Sequence, residues 1–198
     1  MQRRQFVKWA LAGAGAMAMP ALTSPAVAQA GWVDLFDGKT LNGWVQVGEA
    51  QWRVEEGAIV AHGGKGGYLV TPDNYPDFEL KSEFWSDEKA NSGIFFRCTD
   101  RNKITATNAY EANIFDTRSD PSYGTGAIVN IAKVDPMPKA AGKWNTFDVI
   151  AKGDRLSVIM NGQRTVDNVQ DNKYSNGPIA LQYGSGIVKF RKLQVRRI

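Results

Sequence analysis

From residue 31 onward, no stretch keeps apolar side chains at helical spacing for three turns. Instead, short β-branched and aromatic runs recur between clusters of Gly, Asn and Asp. The rhythm predicts an almost entirely β chain, with strands over 52–54, 58–62, 68–70, 78–85, 93–98, 110–115, 127–132, 145–152, 155–160, 164–169, 179–183 and 188–196. Strands this short and this evenly spaced predict a sandwich of two antiparallel sheets. Asn161-Gly162, between two strand-like runs, offers the two positive φ angles of a tight type I′ hairpin. With the turn at Lys152-Gly153-Asp154, residues 145–169 read as a three-stranded meander.

Faces can be assigned within single strands. Phe78, Leu80 and Phe84 share one side while Asp77, Glu79, Lys81 and Glu83 share the other, a solvated face. Near the end, Val188 and Phe190 set one alternation and Leu193 and Val195 the opposite one, so a bulge or bend is expected around Arg191-Lys192. The run Gly63-Gly64-Lys65-Gly66-Gly67 is read as a turn, because Tyr68-Leu69-Val70 continues as a strand where a phosphate-binding loop would open a helix.

Composition narrows the function. The chain has 198 residues, 43% hydrophobic and 22% charged, with a formal charge of +4. Residues 1–30 read as an export signal: adjacent Arg3 and Arg4, then Phe6 and Lys8, a Gly/Ala-rich run, Pro20 and Pro25, and a small-x-small end at Ala28-Gln29-Ala30. The expectation is a twin-arginine signal, a folded domain over 31–198 in the periplasm or outside the cell, and no membrane anchor after cleavage. Without Arg3, Arg4 and Lys8 the charge falls by three, to +1, and no basic stripe is left for nucleic acid. A single cysteine, Cys98, allows no intramolecular disulfide, and its alternation with Phe96 and Ile94 predicts a buried thiol. A single histidine, His62, cannot build a multi-histidine zinc site.

Conventional glycoside hydrolysis needs two carboxyl groups about 5–9.5 Å apart, whereas Glu79 and Glu83, four residues apart on a strand, would stand roughly 13–14 Å apart. Glu111 and Asn113 are more suggestive. They share one face of an otherwise apolar strand whose other face carries Ala112 and Ile114, an arrangement suited either to gripping a hydroxylated ligand or to a salt-bridged outer strand. Arg97 follows Phe95 by two positions on the same strand face and either extends to a carboxylate or serves as an electrostatic clamp in a site. His62, at a strand end before the glycine turn, reads as a loop histidine, a substrate hydrogen-bond partner or a proton shuttle. Trp32, Trp44, Trp52, Trp85 and Trp144 could serve a sugar platform or a core.

The run Leu35-Phe36-Asp37-Gly38-Lys39-Thr40-Leu41-Asn42-Gly43-Trp44 resembles the opening motif of the 3-keto-disaccharide hydrolase domain family. The resemblance continues through Trp52-Arg53-Val54, Gly67-Tyr68-Leu69, Asn91-Ser92-Gly93-Ile94-Phe95-Phe96-Arg97, Tyr110-Glu111, Trp144-Asn145-Thr146 and Ile179-Ala180-Leu181-Gln182. The family's Asp-His after Leu-Gln is replaced here by Tyr183-Gly184, so no role of that histidine carries over. The resemblance implies a concanavalin A-like jelly roll and a periplasmic enzyme that cleaves glycosides oxidised at C3 of the sugar. A 3-ketone acidifies the C2 proton, so one base suffices for β-elimination of the C1 substituent, and hydration completes net hydrolysis. On this reading Glu111 is the base and Arg97 the electrostatic stabiliser, Asn113, Gln182 and His62 bind hydroxyls, and Trp85 contacts the ring. A divalent metal could assist, with Asp116 as a further carboxylate ligand. The alternative is a non-catalytic, lectin-like carbohydrate-binding module on the same fold.

Overall fold

The computed structural model describes residues 31–198; the expected signal segment over 1–30 lies outside the described residues. Thirteen strands follow one another: β1 (Val33–Asp34), β2 (Val45–Gly48), β3 (Trp52–Glu55), β4 (Ala58–Ala61), β5 (Gly67–Val70), β6 (Phe78–Ser86), β7 (Asn91–Phe96), β8 (Tyr110–Ile114), β9 (Trp144–Lys152), β10 (Arg155–Met160), β11 (Gln163–Gln170), β12 (Ala180–Ser185) and β13 (Val188–Arg197). They form a jelly-roll sandwich. The larger sheet has the order β11-β10-β9-β6-β13-β4-β3, with β1 on β13, and the smaller has the order β2-β5-β12-β7-β8. Every pairing is antiparallel.

Alternation places the core. Phe78, Leu80 and Phe84 of β6, Phe147 and Val149 of β9 and Phe190 and Leu193 of β13 meet Leu69, Ile94, Phe96, Ala112, Ile114 and Leu181 of the smaller sheet in one buried cluster. The meander forms as read. Asn161 (φ 51°) and Gly162 (φ 78°) close β10 onto β11 with Met160 opposite Gln163. The bend in β13 is also present: register against β6 shifts between Arg191 and Gln194, with Lys192 at φ 50°. It turns Leu193 and Val195 back into the core that Val188 and Phe190 already fill.

Three local readings need correction. Residues 127–132 do not form a strand: Ile128 bridges Ala112 and Ala132 singly, because the chain folds back on itself after reaching the edge of β8. β1 and β2 lack a legible alternation, with Val33 and Val45 largely exposed. Asp77 leaves the solvated face to accept hydrogen bonds from Arg97 and the Gly153 backbone amide. Its former companions do stay on the outer face of the larger sheet, Glu79 paired with Arg196 and Glu83 with Arg191 and Lys192.

Candidate functional site

Glu111 and Asn113 project from β8 away from the core, since Ala112 and Ile114 point into it. Register then lines up the outer face of the smaller sheet. Asn113 stands opposite Gly93, Gly93 opposite Gln182, and Gln182 opposite Tyr68, while Glu111 stands opposite Phe95. Gly93 leaves bare backbone in the middle of this row, and the Glu111 carboxyl lies over it: a Cβ added at Gly93 would come within 3.1 Å of Glu111 Cγ and Oε1. The rest of the face is roofed by the segment after β7, where Cys98, Ile104 and Ala109 pack on Val70, Phe95 and Ala180.

Glu111 is 6% exposed, and burial pushes its carboxyl up to about 7, with the charge of Arg118 pulling the other way. Water is scarce there, so the neutral acid is favoured. Arg118 is half-buried on the loop that follows β8. Two more polar groups on this row lack partners among the described residues. Asn113 Nδ2 donates to the Tyr123 carbonyl at 2.7 Å, which orients the amide and leaves Oδ1 buried and unbonded; Gln182 Oε1 is likewise unbonded. Both are acceptors waiting for a donor.

Tyr68 closes the row. Its ring meets Phe95 edge-on at 5.3 Å and its hydroxyl donates to the Ile104 carbonyl at 3.1 Å. Burial raises the phenol's pKa, the Gln182 side chain opposes this, and the negative charge of Glu111 adds to the rise, so the two titratable groups sense one another. Tyr68 and Gln182 line a pocket of about 410 Å³ together with Gly66, Gly67, Lys103 and Ile104.

Not every residue expected at the site is there. Arg97 is turned to the opposite side by a left-handed backbone (φ 54°) that breaks the alternation of β7 at its end. Its guanidinium is 1% exposed and donates to the carbonyls of Pro76 (2.7 Å), Gly153 (2.8 Å) and Tyr174 (3.2 Å) and to Asp77 (3.1 Å), so it has no reach toward Glu111. His62 follows β4 of the other sheet, where its Nδ1 lies 2.6 Å from Arg53 Nη1. Trp85 also belongs to the larger sheet, on its outer face beneath Lys189.

Asp116 spends both oxygens on structure, Oδ1 on Thr125 and Oδ2 on the backbone amides of Ala140 and Ala141, so it does not fit a metal ligand. Among the described residues, no three His, Cys, Asp or Glu side chains cluster. Cys98 is buried, but the break at Arg97 puts it on the face of Phe95 rather than with Phe96 and Ile94 as expected, and burial pushes its thiol up to about 12. Two neighbours of the site were not singled out from the sequence. Arg118 sits in a loop with no periodicity to place it, whereas Tyr68 was accessible in principle through its alternation with Val70 on β5.

A family model described as the 3-keto-alpha-glucoside-1,2-lyase-like domain matches residues 31–196. A curated protein of Bacteroides thetaiotaomicron named 3-keto-disaccharide hydrolase is 29% identical, with 61% of this chain and 52% of that protein covered. The chain thus spans about half the length of that relative. Two solved structures of proposed glycosyl hydrolases from Parabacteroides distasonis are similar. One has a TM-score of 0.74 at 19% identity over 85% of this chain and 94% of the other; the second has 0.69 at 25% over 85% and 100%. The carbohydrate-binding module CBM66 of Bacillus subtilis shares the fold, with a TM-score of 0.62 at 19% identity over 78% of this chain and 95% of the module.

Proposed function

Since this chain belongs to the 3-keto-alpha-glucoside-1,2-lyase-like domain family, we propose that it cleaves glycosides carrying a ketone at C3, with Glu111 as the base that removes the C2 proton. One observation carries this reading: a single carboxyl, unpaired on an otherwise structured sheet face and held near 7, is placed where it can take a proton at neutral pH. Removal of the C2 proton gives an enolate. Arg118, the cation that acts on Glu111, takes the stabilising role first expected of Arg97, and the unbonded oxygens of Asn113 and Gln182 accept hydrogen bonds from ring hydroxyls. Expulsion of the C1 oxygen yields an enone, and addition of water at C1 returns the 3-keto sugar. A second carboxylate is not required, and none stands on this row beside Glu111.

The export signal read in residues 1–30 supports a periplasmic setting. The decisive experiment is Glu111→Gln assayed on a 3-keto-glucoside. Turnover should fall by at least about 10²-fold, while circular dichroism and binding of the substrate persist. Normal turnover by the variant would overturn the assignment of the base. The shared fold with CBM66 supports a second reading, a module that binds sugar without cutting it. That reading predicts binding without turnover in the unmodified protein, and robust hydrolysis of unoxidised glycosides would refute both.

A further inference from the structure

Elimination leaves one requirement unmet. An alkoxide is a poor leaving group, so the C1 oxygen needs a proton as its bond to carbon breaks, at the moment when Glu111 has just taken its own from C2. We propose that Tyr68 donates this proton, and that the pocket of about 410 Å³ beside it receives the departing alcohol or sugar. The proposal rests on the cleavage reading above.

Geometry singles out Tyr68. Adjacent strands run about 4.8 Å apart, so β5 and β8, separated by β12 and β7, hold Tyr68 and its row-mate Asn113 roughly 14 Å apart at the backbone, and Glu111, two residues along β8, roughly 16 Å from Tyr68. Both side chains lean inward across that gap. The Tyr68 ring reaches Phe95 on β7, and the Glu111 carboxyl overhangs Gly93 on the same strand. Between them lies Gly93, which carries no side chain, flanked by the amides of Gln182 and Asn113; a sugar reaching this floor from the pocket beside Tyr68 would set its C2 toward Glu111 and its C1 oxygen toward Tyr68.

Other proton donors near this row are disqualified. The Cys98 thiol is packed in the apolar roof, and His62 is on the other sheet. Lys65, exposed and facing Glu49, and exposed Lys103 stand at the solvent rim of the pocket. The Tyr68 hydroxyl now donates to a backbone carbonyl, a neutral acceptor it can exchange for the substrate oxygen. Burial and the Glu111 charge keep the phenol protonated in the resting enzyme.

The step balances without an oxidant or reductant. The enolate pair forms the C1–C2 double bond, the C1–O bonding pair leaves on oxygen, and that oxygen takes the phenol proton, leaving a Tyr68 phenolate. In hydration, water adds its oxygen to C1 and yields a proton to the phenolate, while Glu111 returns its proton to C2. Both side chains end as they began.

The test is Tyr68→Phe, which keeps the ring against Phe95 and removes only the hydroxyl. Two 3-keto-glucosides are compared, one releasing para-nitrophenolate and one releasing glucose. The variant should lose about 10²–10⁴-fold on the sugar-leaving substrate and less than about 10-fold on the nitrophenyl one. It should also still exchange the C2 hydrogen for deuterium in D₂O, because the base is intact, whereas Glu111→Gln loses exchange and cleavage alike. Equal losses on both substrates, or loss of exchange in a Tyr68→Phe protein whose melting temperature is unchanged, would overturn Tyr68 as the donor. If the unmodified protein cleaves neither substrate, the functional reading falls and this proposal with it.

Discussion

An ionised Glu111 would be 6% exposed, so the folded chain keeps this proton up to about pH 7, whereas an unfolded chain releases it near 4.5. Between those values the folded state binds more protons than the unfolded one, and raising the pH therefore costs stability. At about 1.4 kcal/mol per unit the loss reaches roughly 3 kcal/mol by pH 8. Glu111→Gln removes the titration. It should match the unmodified protein near pH 4 and exceed it by up to roughly 3 kcal/mol at pH 8, as measured by urea unfolding at both pH values. In the proposed role the dependence runs the other way, because a base must be ionised: kcat/KM on a 3-keto-glucoside should rise with pH through an acid limb near 7. A limb near pH 4–5 would show that burial does not govern the group. The sequence exposed this residue through a carboxylate in an apolar strand, but the cation expected beside it lies elsewhere. Arg97 is two positions past Phe95 and would share its face in a regular strand, yet one left-handed φ sends it elsewhere.

At the scale of strands, β7 and β8 are the elements that matter most to the site, and Gly93 is their point of contact with it. Its backbone conformation suits any residue, so the glycine is required for space: an added methyl meets Glu111 Cγ, Oε1 and the Ala112 carbonyl, all at 3.1 Å. Gly93→Ala should displace the carboxyl and lower kcat at least about 10-fold, with about 1–3 kcal/mol of lost stability from overpacking. Steady-state kinetics set beside a thermal melt separates the two effects, and unchanged kcat would mean that Glu111 does not work from its position over Gly93. Elements of this kind were readable where the signal is local. The Asn161-Gly162 hairpin and the bend at Lys192 follow from turn chemistry and reversed alternation. The strand expected over 127–132 failed because apolar composition does not say whether a neighbour has room for a full ladder, and the chain turns back after a single bridge at Ile128.

Across the whole molecule, Arg97 works as a buried tie. Its guanidinium joins the entry to β6 at Pro76 and Asp77, the β9–β10 turn at Gly153 and the segment before β12 at Tyr174. Arg97→Ala removes the donor shared by three carbonyls and leaves Asp77 with only the Gly153 amide, and should cost about 3 kcal/mol. The fraction that remains folded should keep its kcat on a 3-keto-glucoside; active-site titration alongside urea unfolding checks both halves, and a lost kcat in folded protein would return Arg97 to the chemistry. The sequence by itself determined the β architecture, its main turns and the outward pair Glu111 and Asn113, because alternation and turn preference depend on residues a few positions apart. Only the tertiary structure decided which side chains gather around that pair. Tyr68 joins the same sheet face and Arg118 acts on the Glu111 charge, while Arg97, His62 and Trp85 go elsewhere, through strand register and sheet order that join positions far apart in the chain, and through one backbone angle that no local pattern announces.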